Sequence, residues 1–239
     1  MHGKRIEVIS ADGHPFGAYL STPASGTGPG LVICQEIFGV NAFIREVADR
    51  YAAHGFTVLA PDLFWRLEPG VELGYDDGDR ARAFDLMGRF DTDLGVKDIT
   101  ACVQALRAMP GSNGKVGVVG FCLGGRLAYL AAARSGADCA VGYYGVSIDK
   151  YLGESSRVTK PLMLHFARED NLVPPETVDR IARTFAGRSH VSIHVYPGVD
   201  HAFARTGGAN YHEVSATTAN TRTLELLQET LVAPATASR

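Results

Sequence analysis

Apolar and polar positions alternate with period two in two short runs near the start of the chain, residues 4–10 and 16–21. They flank the turn sequence Ala11-Asp12-Gly13-His14-Pro15, which predicts an opening β-hairpin. Beyond it the rhythm changes. Gly30–Cys34, residues 56–60, 115–120, Cys139–Tyr143 and 161–167 are nearly unbroken apolar runs, the pattern of strands buried on both faces, and Val191–Tyr196 reads as the last strand. Between them lie stretches at helical spacing. One starts at Asn41, runs through Phe43, Val47, Ala48 and Tyr51 and stops at Gly55; residues 76–87 and 91–109 follow, the second closed by Pro110-Gly111. Others run from Leu123 to Gly136, from Pro174-Pro175-Glu176, and from about Tyr211 to Leu231. Strands alternating with helices require right-handed crossovers, so the expected fold class is α/β: a doubly wound, mostly parallel sheet with an N-terminal β-hairpin and helices on both faces. Residues 1–232 read as a single domain and residues 233–239 as a disordered tail.

Composition narrows the function classes. The 239 residues are 46% hydrophobic, with a formal charge of −3 and scattered basic residues, so no nucleic-acid or membrane-surface footprint is expected. No run of about 18 apolar residues and no leader at Met1-His2-Gly3-Lys4 is visible, which predicts a cytoplasmic protein. Four cysteines, at 34, 102, 122 and 139, have neither zinc-ligand nor disulfide-framework spacing.

The chemistry-bearing stretch is Gly120-Phe121-Cys122-Leu123-Gly124-Gly125, directly after an apolar strand. It has the form of a nucleophile elbow with cysteine as the pivot. The following helix points its N-terminus at the sulfur and favours thiolate. In open α/β sheets reacting groups collect at the carboxyl ends of strands. Asp170 and His201 lie just past two further strands, giving the chain order nucleophile, acid, histidine. Glu169 and Asp200 are read as solvated neighbours of that set, and His165, His190 and His194 as satisfied sheet positions. An oxyanion needs two converging amides. Leu123 supplies one, and Ile37, in the loop Gln35-Glu36-Ile37-Phe38-Gly39, is the expected second. Glu36 is either a surface residue or a regulator of the thiol, because a carboxylate beside a thiol opposes its ionisation. Tyr143, near the end of a neighbouring strand, either shapes the pocket or is a buried aromatic.

Residues 35–41, Pro61-Asp62-Leu63, residues 112–117, the elbow, residues 142–146 and residues 201–206 together resemble the dienelactone hydrolase family of the α/β-hydrolase fold, over nearly the whole chain. The resemblance implies a Cys122–His201–Asp170 triad. It also implies that Glu36 interacts with the resting thiol and assists its activation, and that Arg80 and Arg205 recognise a substrate carboxylate. Phe38 is expected on the substrate wall. Well-known family members carry serine where this chain has Ala202, and tyrosine and tryptophan where it has Phe84 and Met87, which implies a more apolar pocket.

The expected function is hydrolysis of an activated enol lactone such as dienelactone to a dicarboxylic acid through a cysteine acyl-enzyme. The partner is a small anionic lactone or ester, no cofactor or metal is required, and the chain is a monomer. A carboxylesterase or thioesterase with the same triad would turn over neutral aryl esters comparably. A redox-sensing or ligand-binding protein of this fold would show Cys122 modification without hydrolysis.

Overall fold

The two alternating runs pair as β1 (Lys4–Ile9) and β2 (Pro15–Ser21), an antiparallel hairpin in which Arg5 faces Tyr19 and Val8 faces Phe16. The structure is a computed structural model that describes residues 3–232; the tail at 233–239 lies outside the described residues. Six further strands follow: β3 (Gly30–Cys34), β4 (Thr57–Pro61), β5 (Val116–Phe121), β6 (Cys139–Tyr143), β7 (Leu162–Ala167) and β8 (Val191–Tyr196). They form one eight-stranded sheet in the order β1-β2-β4-β3-β5-β6-β7-β8. β2 meets β4 antiparallel, and every pair from β4 to β8 is parallel.

Helices α1 (Ala42–Ala53), α2 (Asp77–Arg89), α3 (Thr92–Ala108), α4 (Leu123–Arg134), α5 (Pro175–Thr184) and α6 (Glu213–Leu231) fill the connections. Two glycines show how they are distributed. Gly30 pairs with Val116 across β3 and β5, and a Cβ on Gly30 would meet Leu106 of α3. A Cβ on Gly117, the next residue along, would meet Leu227 and Leu231 of α6. Neighbouring strand residues point to opposite faces, so α3 and α6 cover opposite sides of the sheet.

Local chemistry sets the helix starts. Asn41, Asp76 and Asp91 each cap a helix by accepting a backbone N–H from the first turn. The last helix begins at Glu213 rather than near Tyr211. His212 supplies the cap through its ring nitrogen, a residue outside the usual capping set. Residues Ile148–Arg157 form a 3₁₀ segment that the periodicity does not predict; only Ile148 and Ser155 of it are buried, too few to mark a face.

The chain leaves β3 for β4 on one side and returns to β5 on the other. The order therefore reverses between β3 and β5, where an open α/β sheet leaves a crevice at its carboxyl edge. The loops bordering that crevice are residues 35–41 and the elbow after β5.

Candidate active site

Cys122 sits at the pivot between β5 and α4 with φ 55° and ψ −112°, a conformation that costs a non-glycine residue about 1–3 kcal/mol. The glycines around it make the turn possible. A Cβ on Gly120 would lie 1.9 Å from the Gly124 carbonyl, and one on Gly125 would lie 2.6 Å from the Tyr143 carbonyl. Gly124 serves a second purpose. Its N–H donates to the Gln35 carbonyl at 3.0 Å, and a Cβ there would come within 2.3 Å of the Cys34 carbonyl. The loop after β3 is thereby docked on the first turn of α4. Among the described residues, the Ile37 and Leu123 amides donate to no protein group. Cys122 keeps 6% exposure. Cys34, Cys102 and Cys139 are buried in the core, where desolvation raises their thiol pKa, Cys139 to about 12.

Asp170 and His201 extend from the loops after β7 and β8. His201 Nδ1 lies 2.7 Å from Asp170 Oδ2; a carboxylate only accepts, so this nitrogen carries the proton and leaves Nε2 for chemistry. The other Asp170 oxygen accepts the Leu172 and Val173 amides at 2.8 and 3.2 Å, which fixes the buried carboxylate in place. Burial by itself would lower the His201 pKa, but the electrostatic attraction of the neighbouring Cys122 sulfur and the Asp170 hydrogen bond outweigh it, and the imidazole is pushed up to about 10. Glu169 is exposed, and half-buried Asp200 accepts the His201 backbone N–H, so neither competes for the ring.

Glu36 is 2% exposed, which corrects its reading as a surface residue. Its Oε2 accepts from Arg205 Nη1 at 3.1 Å. Burial pulls the Arg205 pKa down, and the Glu36 charge more than restores it. The Arg205 guanidinium carbon lies 4.2 Å from the Tyr75 ring centroid and 5.6 Å from that of Phe38. Among the described residues, Glu36 Oε1, Arg205 Nε and Tyr144 Oη are buried without a hydrogen-bond partner, so this corner retains polar capacity to offer a ligand. Burial, together with the Glu36 charge, raises the Tyr144 pKa well above its ordinary value. The Tyr144 ring packs edge-on against His201 at 5.0 Å.

The structure therefore brings together Cys122, His201 and Asp170, with Glu36, Arg205 and Phe38 in a buried corner. Ala202 is buried beside His201 with φ 64°. Arg80, Phe84 and Met87 lie apart on α2: Arg80 is exposed with Nε donating to the Tyr75 carbonyl at 2.9 Å, Phe84 is 52% exposed, and Met87 is half-buried. Tyr143 requires a correction. It points into the core beneath α6 and is fully buried, and its hydroxyl meets Asn220 at 3.0 Å and Thr223 at 2.6 Å; it does not line the site. His165 is buried with both ring nitrogens bonded, to Tyr196 and Thr223. His190 bonds the Val158 carbonyl and His194 stacks on His165. Sequence reasoning missed Tyr75 and Tyr144. Tyr144 stands in the quoted segment 142–146, but its direction depends on the chain leaving the strand with φ 38°, which no side-chain pattern announces. Among the described residues no three His, Cys, Asp or Glu side chains group as a metal site would need, and no helix is long and apolar enough to cross a membrane.

Comparison with known proteins adds an independent line. The sequence profile of the dienelactone hydrolase family matches residues 16–231. Carboxymethylenebutenolidase 1 of Cupriavidus pinatubonensis is 43% identical over 93% of this chain and 95% of its own, and the carboxymethylenebutenolidase of Pseudomonas putida is 42% identical over 93% and 94%. A candidate dienelactone hydrolase of Klebsiella pneumoniae, solved by crystallography, superposes with a TM-score of 0.82 at 27% identity, over 93% of this chain and 96% of that one.

Proposed function

Because the chain belongs to the dienelactone hydrolase family and is a hydrolase acting on ester or lactone bonds, we propose that it opens an activated enol lactone bearing a carboxylate, to a dicarboxylic acid, through a Cys122 acyl-enzyme. The observation that carries this reading is the buried Glu36–Arg205 pair beside a cysteine elbow whose histidine is already aligned by Asp170.

A substrate carboxylate competes with Glu36 for the Arg205 guanidinium, whose planar fork suits carboxylates. Glu36, released from its partner, assists ionisation of the thiol, and His201 holds the proton. The thiolate attacks the lactone carbonyl, and the Ile37 and Leu123 amides stabilise the developing oxyanion. The ring C–O bond breaks as His201 returns its proton to the leaving enol oxygen. Water then gives its proton to His201 Nε2 and attacks the thioester, the sulfur leaves as thiolate, and the second carboxylate is formed. Thiolate leaves more readily than an ordinary alkoxide, so an intermediate formed from a simple ester tends to revert. A stabilised enolate leaving group removes that bias.

Steady-state kinetics on dienelactone, on neutral lactones and on aryl esters test this reading with wild type, Cys122→Ala and Arg205→Ala. Cys122→Ala should lose about 10⁴-fold or more on all of them. Arg205→Ala should lose activity selectively on the anionic lactone. Full activity of Cys122→Ala, or equal turnover of neutral and anionic substrates by wild type, would overturn it.

A further inference from the structure

We propose that Tyr75 is a positioning residue that sets the preference for anionic substrates by holding Arg205 over its ring; the proposal rests on Arg205 receiving the substrate carboxylate. The guanidinium carbon of Arg205 stands 4.2 Å from the Tyr75 centroid, and Phe38 braces the same ring edge-on at 4.8 Å. A ring face attracts a cation through its quadrupole and uses none of the guanidinium N–H donors. Arg205 therefore keeps its charge located in a buried corner while making one hydrogen bond to Glu36. When a second carboxylate arrives, the fork exchanges partners while the ring keeps its plane in place.

Tyr75 is itself held from three directions. Its hydroxyl accepts from Asn41 Nδ2 at 3.1 Å, and the same amide nitrogen donates to the Leu73 carbonyl at 3.1 Å. The Asn41 oxygen caps α1 through the Ile44 amide. The Leu73 amide in turn donates to the Phe38 carbonyl at 2.9 Å, and Gly39 and Glu72 form an isolated antiparallel bridge. The segment bearing Tyr75 is thus laced to the loop that carries Glu36 and Ile37. The Tyr75 carbonyl also accepts from Arg80 Nε. One residue therefore touches both arginines that the sequence associates with carboxylate recognition, one through its ring and the other through its backbone.

The test uses two aryl esters identical except that one carries a carboxylate and the other the neutral carboxamide. Tyr75→Leu should lower the ratio of their kcat/KM values about tenfold, through KM of the anionic ester, a size consistent with loss of one desolvated cation–ring contact. Tyr75→Phe, which keeps the ring, should restore most of the ratio. Phenylalanine and pentafluorophenylalanine at position 75 have similar shapes and opposed quadrupoles, so they should differ in the same direction even if leucine disturbs folding. Equal losses on both esters, or no difference between the two ring variants, would overturn the proposal while leaving the functional reading intact. An unchanged ratio in Arg205→Ala would instead overturn the functional reading on which it stands.

Discussion

The two halves of the site are built on different principles. Around Cys122, each reacting group is held by backbone close to it in sequence: the elbow by Gly120, Gly124 and Gly125, and Asp170 by the amides of Leu172 and Val173. Around Arg205, placement comes from side chains of remote segments: Glu36 and Phe38 after β3, Tyr75 before α2 and Tyr144 after β6, with three buried polar atoms unpartnered among the described residues. The contrast teaches that bond-breaking geometry is written locally and charge recognition is written by tertiary assembly. The first part takes its shape from bonds and close approaches within its own loops. The second is left with hydrogen-bonding capacity to exchange.

Breaking the local half should cost most. Asp170→Asn presents an amide where His201 needs an acceptor, so kcat should fall about 10⁴-fold while the fold survives. A near-normal kcat would mean that another group orients the ring. Glu36→Gln tests the remote half and should lower turnover of an anionic lactone about 10²-fold, with unchanged turnover excluding Glu36 from thiol activation. A pH series separates the halves without touching the anion corner. The His201 pKa in the fold is raised from 6.5 to about 10, so the folded state holds a proton that the unfolded chain has released. That contribution to stability is complete below pH 6.5 and is lost as pH rises through about 10. The thermal midpoint of wild type should therefore decline from pH 7 to 10 more steeply than that of Asp170→Asn, in which the carboxylate bonded to the ring is gone; parallel curves would exclude that bond as a source of the shift. The smallest effect on catalysis belongs to Tyr143→Phe. It should cost about 1–2 kcal/mol of stability from the lost bonds to Thr223 and Asn220, seen in denaturant titration, with kcat/KM unchanged. A raised KM would return Tyr143 to the substrate wall.

The same division explains what was legible in the sequence. The hairpin, the six parallel strands and the elbow were readable because period, glycine spacing and strand-to-helix order are local signals. The pairing of Asp170 with His201 followed from their positions at strand ends. Tyr143 and Tyr144 could not be told apart, since both stand in Gly142-Tyr143-Tyr144-Gly145 and only the strand's facing and the positive φ of Tyr144 send one under α6 and the other toward His201. The burial of Glu36 was equally hidden. A charged residue in a Gly-bounded loop reads as solvated until the partner arginine, 169 residues away in sequence, is placed against it.

The lacing of Leu73 to Phe38 and of Glu72 to Gly39 has an evolutionary consequence. The amide of Ile37, which faces the reacting carbonyl in the proposed mechanism, lies one residue from the point where the Tyr75 segment is fastened. A substitution in residues 69–76 that changes which acids are accepted therefore also bears on the loop that carries Ile37. Phe84, exposed on α2, takes part in no such fastening among the described residues, so substitutions there leave that loop alone.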